Sequence, residues 1–295
     1  MPSFAEAQAD NAFWVLPDNY TPTFVVVGGT SGIGEGIAQA LGRHTKGNVH
    51  LLIVGRHTHE FVECDLSSIA NVKRVCASLV QRFPRINLLV MTAGAVDLGS
   101  NTTSEGLEKA SAIVYYARWA LVDGLLPSLL AAKDAGEDTR VFSVLNAGMG
   151  KPIDFDDLGL KKKSAEAKSL GTLIETGSAM ATYMDYMVMS YGKRYPNIPF
   201  AHASPGAVST PLWGRSPSLS LRITGLFIKV MFFTRAKSIT QCGEHQVYAL
   251  RHIPAGASWT SPEGDDFGRD RVCGGDDEAE RLWAHTVEVV GAIHA

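Results

Sequence analysis

Short apolar runs and helically spaced apolar positions alternate along most of this chain. "TFVVVGG" (23–29) is a β-branched run ending in glycines and predicts a buried strand. "SGIGEGIAQALGRHT" (31–45) follows, with Ile33, Ile37, Ala40 and Leu41 at helical spacing. Further strands are predicted at "VHLLIVG" (49–55), "EFVECDL" (60–66), "INLLVMTAG" (86–94), "TRVFSVL" (139–145) and "IPFAHASPG" (198–206). Helices are predicted over 68–82, from about Ser104 to Leu130, and over 176–195. Strands that alternate with helices imply a parallel sheet covered on both faces. No repeat, linker or composition shift marks a second unit, so residues 1–295 read as one doubly wound α/β domain of Rossmann type.

One junction departs from that plan. Between "VHLLIV" and "EFVEC" lie only Gly55, Arg56, His57, Thr58 and His59. Adjacent parallel strands need a crossover of about a dozen residues or more. The expectation is that about a dozen or more residues of the natural chain are missing between Gly55 and Phe61, as a deletion or a disordered segment.

Composition narrows the class. At 45% hydrophobic, the 295 residues can bury a full core. A formal net charge of −3 gives no electrostatic case for nucleic acid. Cys64, Cys76, Cys242 and Cys273 form no CxxC and no metal-ligand spacing, so no metal is expected and the thiols read as those of a reduced, cytosolic protein. The N-terminal stretch has acidic residues and no apolar signal core. "LSLRITGLFIKVMFF" (219–233) is too short to span a bilayer and carries Arg222 and Lys229.

The chemistry begins in "VVVGGTSGIGEGIA", where Gly28, Gly32 and Gly34 sit between the first strand and the first helix. The first glycine permits a tight turn, the second lets backbone approach a pyrophosphate, and the third lets helix and strand pack closely. The phosphates would rest on N–H groups at the helix start, with Thr30, Ser31 and Ile33 beside them.

The spacing resembles the short-chain dehydrogenase/reductase family, and the resemblance runs from about residue 23 to 212. "CDL" supplies Asp65 and Leu66 at the adenine end. "MTAG" (91–94) stands where the family usually has NNAG and offers Ala93 and Gly94. "SPGAVST" matches the family's PGxVxT with Pro205, Gly206, Val208 and Thr210, the last implied to hold the carboxamide. The stretches "IVGR", "EGLEKASAIVYYARW", "DDLGLKK" and "TYMDYM" are similar to a fungal subgroup often found among secondary-metabolite genes. Gly55 stands where an NAD-preferring member carries an acidic residue, and Arg56 beside it suits a 2′-phosphate, which favours NADP(H) over NAD(H).

The resemblance also implies a tyrosine, a lysine four residues later, a serine and an asparagine. Tyr183 takes the tyrosine position, but Met187 follows where the lysine should be, and Val114 falls at the asparagine position. The serine position falls on Leu145 or Asn146; Ser143 lies earlier and is expected to pack or bond locally. Tyr183 and Asn146 are therefore the candidates for polarising a substrate oxygen. The competing view of Tyr183 is a packed amphipathic residue. His202 reads as a satisfied core histidine or an acid/base group, Arg118 as reaching the site or pairing at the surface, and "DFDD" (154–157) as turns and caps. Residues 212–240 are expected to form a lid over the pocket.

The expected activity is hydride transfer on the carbonyl or hydroxyl of a bulky apolar small molecule. A redox-neutral isomerase, cyclase or dehydratase and a non-catalytic binding protein remain open, as does a homodimer.

Overall fold

The computed structural model describes residues 1–55, 62–94, 102–166, 170–211, 214, 222–223 and 236–295. Seven parallel strands form one sheet: β1 Thr23–Val27, β2 His50–Gly55, β3 Val62–Glu63, β4 Leu88–Met91, β5 Arg140–Val144, β6 Pro199–Ala203 and β7 Gly256–Thr260. Their order across the sheet is β3-β2-β1-β4-β5-β6-β7. Strand order therefore reverses between β1 and β4, which is where an open parallel sheet places its ligand crevice.

Along β1, Phe24 and Val26 face one way and Val25 and Val27 the other, and each pair joins a separate core. The first face is covered by α2 (Gly32–His44) and by α8 (Ile239–His252), which supplies Val247 and Leu250. Those helices approach closely at Gly36 and Gly243, where a Cβ on either would meet backbone within 2.3 Å. The second face is covered by α3 (Ile69–Arg82), α5 (Ala117–Asp134), α7 (Leu170–Arg194) and α9 (Asp276–Gly291). Both faces of the strands are buried, as the continuous apolar runs require.

Several element boundaries differ from the periodicity. The helix expected from Ser104 starts at Lys109, because the Glu108 carboxylate caps Ala110 and Ser111. A three-residue α4 (Lys109–Ser111) then widens into a π turn over Ala112–Tyr116 before α5 begins. Upstream, Glu105 bonds Ser68 and the N–H groups of Ile69 and Ala70, capping α3 from 35 residues or more away. The N-terminal α1 (Phe4–Ala12), the short α6 (Lys161–Glu166), and everything after residue 240 carried no sequence expectation. α1 is held against α8 by Arg251–Asp10 and by Asn11, which bonds the buried Glu244.

β3 is shorter than the predicted 60–66. It pairs in parallel with the last two residues of β2, Val54 with Val62 and Gly55 with Glu63. A strand joined only at this carboxyl edge does not require the chain to return to the opposite edge, which was the premise of the expected crossover. The expectation of a longer natural segment falls on residues 56–61, outside the described residues. The lid over 212–240 likewise lies mostly outside them, although α8 accounts for its last two residues.

Candidate functional site

The carboxyl ends of β1, β4, β5 and β6 meet at one rim, and nearly every sequence-predicted nucleotide residue lies there. Gly28 follows β1 with φ +86°, and a Cβ on it would stand 2.7 Å from the Ala93 nitrogen and 2.8 Å from Thr92 Oγ1. A Cβ on Gly34 would stand 2.4 Å from both the Gly28 oxygen and Thr92 Oγ1. No side chain fits at either position, so the first turn of α2 is drawn tight against β1 and β4. Gly32 differs: its φ is +61°, and a Cβ would make only ordinary 3.4 Å contacts with Thr210. The loop before α2 and the segment after β6 thus come together at Gly32 and Thr210, with the glycine backbone of the loop as one wall of a cradle and Thr210 at its edge. Gly206, at φ +70° against Pro262, lets the chain turn back to form that edge. Val208 then bridges to Lys237, and Ser209 and Ala207 exchange backbone hydrogen bonds with Lys237.

These residues fit a dinucleotide. The cradle needs glycine where backbone must come close, and it opens at the N-terminus of α2, where N–H groups and the helix dipole favour an anion. Gly55, at the end of β2, has Thr30 against it: a Cβ there would meet Thr30 Cγ2 at 3.0 Å. No carboxylate occupies that position. Asp65 is exposed beyond β3, with Oδ1 accepting from the N–H and hydroxyl of Ser67, while half-buried Leu66 packs on the core. Arg56 lies outside the described residues.

The catalytic positions divide. Asn146 is exposed at the end of β5, on the crevice rim. Tyr183 is not in the crevice. It is 0% exposed, its hydroxyl donates to the Leu158 carbonyl at 3.1 Å, and its ring meets Tyr115 edge-on with centroids 5.1 Å apart. Burial, with Tyr116 and Tyr115 alongside, drives its pKa well above the ordinary tyrosine range. The assignment of Tyr183 as a substrate-facing donor is corrected accordingly: it is a packing residue whose polar end is satisfied by backbone. Met187, 2% exposed, and Val114, in the π turn, are core residues too.

Beneath the rim lies a buried polar seam that the sequence showed only in pieces. Arg118 is fully buried; one guanidinium nitrogen donates to Ser143 Oγ at 2.6 Å and the Val144 carbonyl at 3.0 Å, the other to the Ala93 carbonyl at 2.8 Å. Ser143, buried within β5, therefore bonds to Arg118, 25 residues away on α5, where packing or a local bond was expected. Ser143 and His202 are register partners on β5 and β6. His202 Nδ1 lies 2.6 Å from Asp185 Oδ1, and its Nε2 accepts the Asn146 N–H at 3.2 Å. The acceptor role of Nε2 leaves the proton on Nδ1, facing the carboxylate. His202 and Asp185 are thus a buried pair that anchors Asn146 through its backbone. Asp185 went unrecognised, and the available signal was a single charge inside the apolar "TYMDYMVM". "DFDD" makes turns and caps: Asp154 accepts from Asp156 N–H, and Asp157 from Lys161 and Lys162.

A cavity of about 340 Å³ is lined by Leu107, Tyr116, Phe155, Leu158, His285 and Val289. Tyr116 and His285 lie side by side in its wall, bonded at 2.9 Å. Among the described residues no helix is long and apolar enough to cross a membrane.

Comparison with known proteins places the chain in a family. It is 28% identical over 267 residues to the oxidoreductase andH of Emericella variicolor, covering 84% of this chain and 74% of that one. It is 30% identical over 235 residues to the oxidoreductase AN1596 of Emericella nidulans, covering 73% of this chain and 66% of that one. The short-chain dehydrogenase/reductase SAT2 of Stachybotrys chartarum is 27% identical over 250 residues, covering 74% of this chain and 68% of its own. The NADPH-bound carbonyl reductase from chicken fatty liver superposes with a TM-score of 0.57 at 15% identity, covering 84% of this chain and 99% of that one. No family model matches the sequence. The chain belongs to the short-chain dehydrogenase/reductase family of oxidoreductases, and these curated relatives are fungal. It spans about two thirds to three quarters of the length of these relatives.

Proposed function

We propose that this chain is an NADP(H)-dependent oxidoreductase acting on the carbonyl or hydroxyl group of a bulky apolar small molecule in fungal secondary metabolism. The observation that carries the nucleotide reading is the cradle of Gly28, Gly32 and Gly34 beneath Thr210, in which a Cβ is excluded at two positions. The absence of a carboxylate at the Gly55 position favours the 2′-phosphorylated form, since an acidic side chain there is what grips a free ribose hydroxyl.

When bound, the nicotinamide would supply the hydride chemistry. The chain's own part is binding and orientation. The α2 N-terminus and the glycine cradle would hold the pyrophosphate, Thr210 and the segment after β4 bearing Ala93 and Gly94 would border the ring, and Asn146 would orient the substrate oxygen. The His202–Asp185 pair holds Asn146's backbone in register. With Tyr183 turned into the core, the proton reaching the substrate oxygen comes from water.

A second reading is favoured by one observation: the tyrosine is withdrawn from the crevice and has no lysine at the next turn. It is a redox-neutral enzyme that retains the nucleotide site. Titrating the purified protein with NADPH and NADH, then following nicotinamide absorbance with a panel of apolar ketones, separates the two. Tighter binding of NADPH with ketone-dependent consumption supports the first reading. Tight binding with no consumption supports the second, and no binding of either nucleotide refutes both.

A further inference from the structure

The buried Arg118 is not accounted for by packing. It sits on α5 just after the π turn, in the otherwise apolar run "AIVYYARWALV", and is 1% exposed. Among the described residues, its side-chain hydrogen bonds go to Ser143 Oγ and to the Val144 and Ala93 carbonyls, none of them a carboxylate. Its Nε has no partner among those residues. The buried carboxylate of the same seam, Asp185, is turned to His202. An uncompensated buried charge is expensive, and replacing buried charges with apolar side chains often leaves stability unchanged or improves it. Its presence there calls for a use.

Its position supplies one. Ala93 lies two residues past the end of β4 and Val144 ends β5, the strands next to β1 on the side away from β2 and β3. A dinucleotide whose pyrophosphate lies at β1 and whose adenosine lies towards β3 carries its nicotinamide over β4 and β5. The guanidinium is therefore bonded to the underside of the floor on which the ring would rest. Burial brings its pKa down to about 9, which still leaves it protonated at neutral pH. Its field reaches the floor with little screening, because it is bonded to that floor from within the protein interior.

Resting on the NADP(H) reading above, we infer that Arg118 makes the crevice discriminate between the two redox states of the nicotinamide, favouring the neutral reduced ring over the cationic oxidised ring. The two forms carry the same phosphates and differ by one positive charge on the ring. In the reductive direction the bound nicotinamide would supply a hydride with both electrons to the carbonyl carbon, while the C=O π pair would go to oxygen, which would take a proton from water. The nucleotide left behind would be the cationic oxidised form, repelled by Arg118. That repulsion loosens the product nucleotide, so exchange for a fresh reduced one is favoured. Arg118 touches neither substrate nor nucleotide here and is a positioning residue acting through charge.

The test is a ratio of binding constants and needs no substrate. Dissociation constants for NADPH and NADP+ are measured on wild type and on Arg118→Met, Arg118→Gln and Arg118→Lys, with thermal melting to verify folding. Wild type should prefer NADPH by about tenfold or more, Arg118→Met and Arg118→Gln should each shrink that preference about tenfold, and Arg118→Lys should keep most of it. A structural role alone would weaken both forms alike and leave the ratio unchanged. A wild-type ratio near unity overturns the inference whether or not the variants fold, and so does an unchanged ratio in a folded Arg118→Met. Failure of wild type to bind either nucleotide overturns the cofactor reading itself and this inference with it.

Discussion

Replacing Tyr183 with phenylalanine separates a catalytic tyrosine from a structural one. The substitution removes one hydroxyl that donates to the Leu158 carbonyl at 3.1 Å and leaves the ring against Tyr115. Tyr116 also reaches that carbonyl, at 3.4 Å, so the acceptor keeps a partner. The cost is then that of a single neutral hydrogen bond, about 0.5–1.5 kcal/mol, rather than that of an orphaned buried group. For a chain of this size that corresponds to a fall in Tm of roughly 1–5 °C. Because the hydroxyl faces Leu158 and not the crevice, turnover should stay within about threefold of wild type, with NADPH affinity unchanged; a positioned general acid would contribute about a hundredfold or more. The assay pairs calorimetric melting with initial rates of NADPH oxidation on whichever apolar ketone proves active, and with NADPH titration if none does. A hundredfold loss of rate at unchanged Tm would refute the placement of Tyr183 in the core. Met187→Lys is expected to restore nothing, since it adds a charge at a site 2% exposed, and should lower the Tm instead.

Other outcomes follow from the same geometry. Gly32→Asp should fold at a left-handed strain cost of about 1–2 kcal/mol yet lose nucleotide binding, whereas Gly34→Ala should lose stability as well because its Cβ has no room; equal melting of the two variants would contradict this. Glu105→Ala removes the acceptor of the Ile69 and Ala70 N–H groups while leaving Ser68 to cap Asn71, and should cost about 1–2 kcal/mol in denaturant unfolding, with nucleotide affinity intact. Burial pushes the thiols of Cys64, Cys76 and Cys242 up to about 12, so at mildly alkaline pH a thiol reagent should label the half-buried Cys273 first and the other three only on unfolding. Burial holds the folded-state pKa of His285 below its ordinary value, so the unfolded chain takes up this proton first. Its contribution is full above about pH 6.5 and fades as pH falls through the lowered value, so His285→Asn should flatten the acid side of the Tm-against-pH curve; an unchanged slope would argue against it.

The order of the strands up to β6 and of the main helices between them was legible because each depends on contiguous residues. An apolar run such as Phe24, Val25, Val26 and Val27 must be buried on both faces, and the spacing of Ile33, Ile37, Ala40 and Leu41 defines one helical stripe; neither signal needs knowledge of a partner. The glycine loop was legible from its spacing within seven residues, although the neighbours that leave no room for a Cβ at Gly28 and Gly34 include Thr92 and Ala93 from the end of β4. What the sequence alone could not decide is which way an amphipathic side chain turns and what it meets. Nearly every position of "ATYMDYMVM" can be buried, so periodicity does not say whether Tyr183 faces the crevice or Tyr115; the packing of α7 against the π turn and the loop at Leu158 decided it. Asp185 and His202 are 17 residues apart, and Arg118 and Ser143 are 25 apart; they meet because β5 and β6 pair in one register beneath α5 and α7. Thr210 stands over Gly32 only because the chain turns at Gly206 against Pro262, from a different part of the sheet. Local sequence sets which groups can be buried, but the free energy of a buried charge or hydroxyl depends on the partner that long-range packing brings to it, and that partner is a property of the fold.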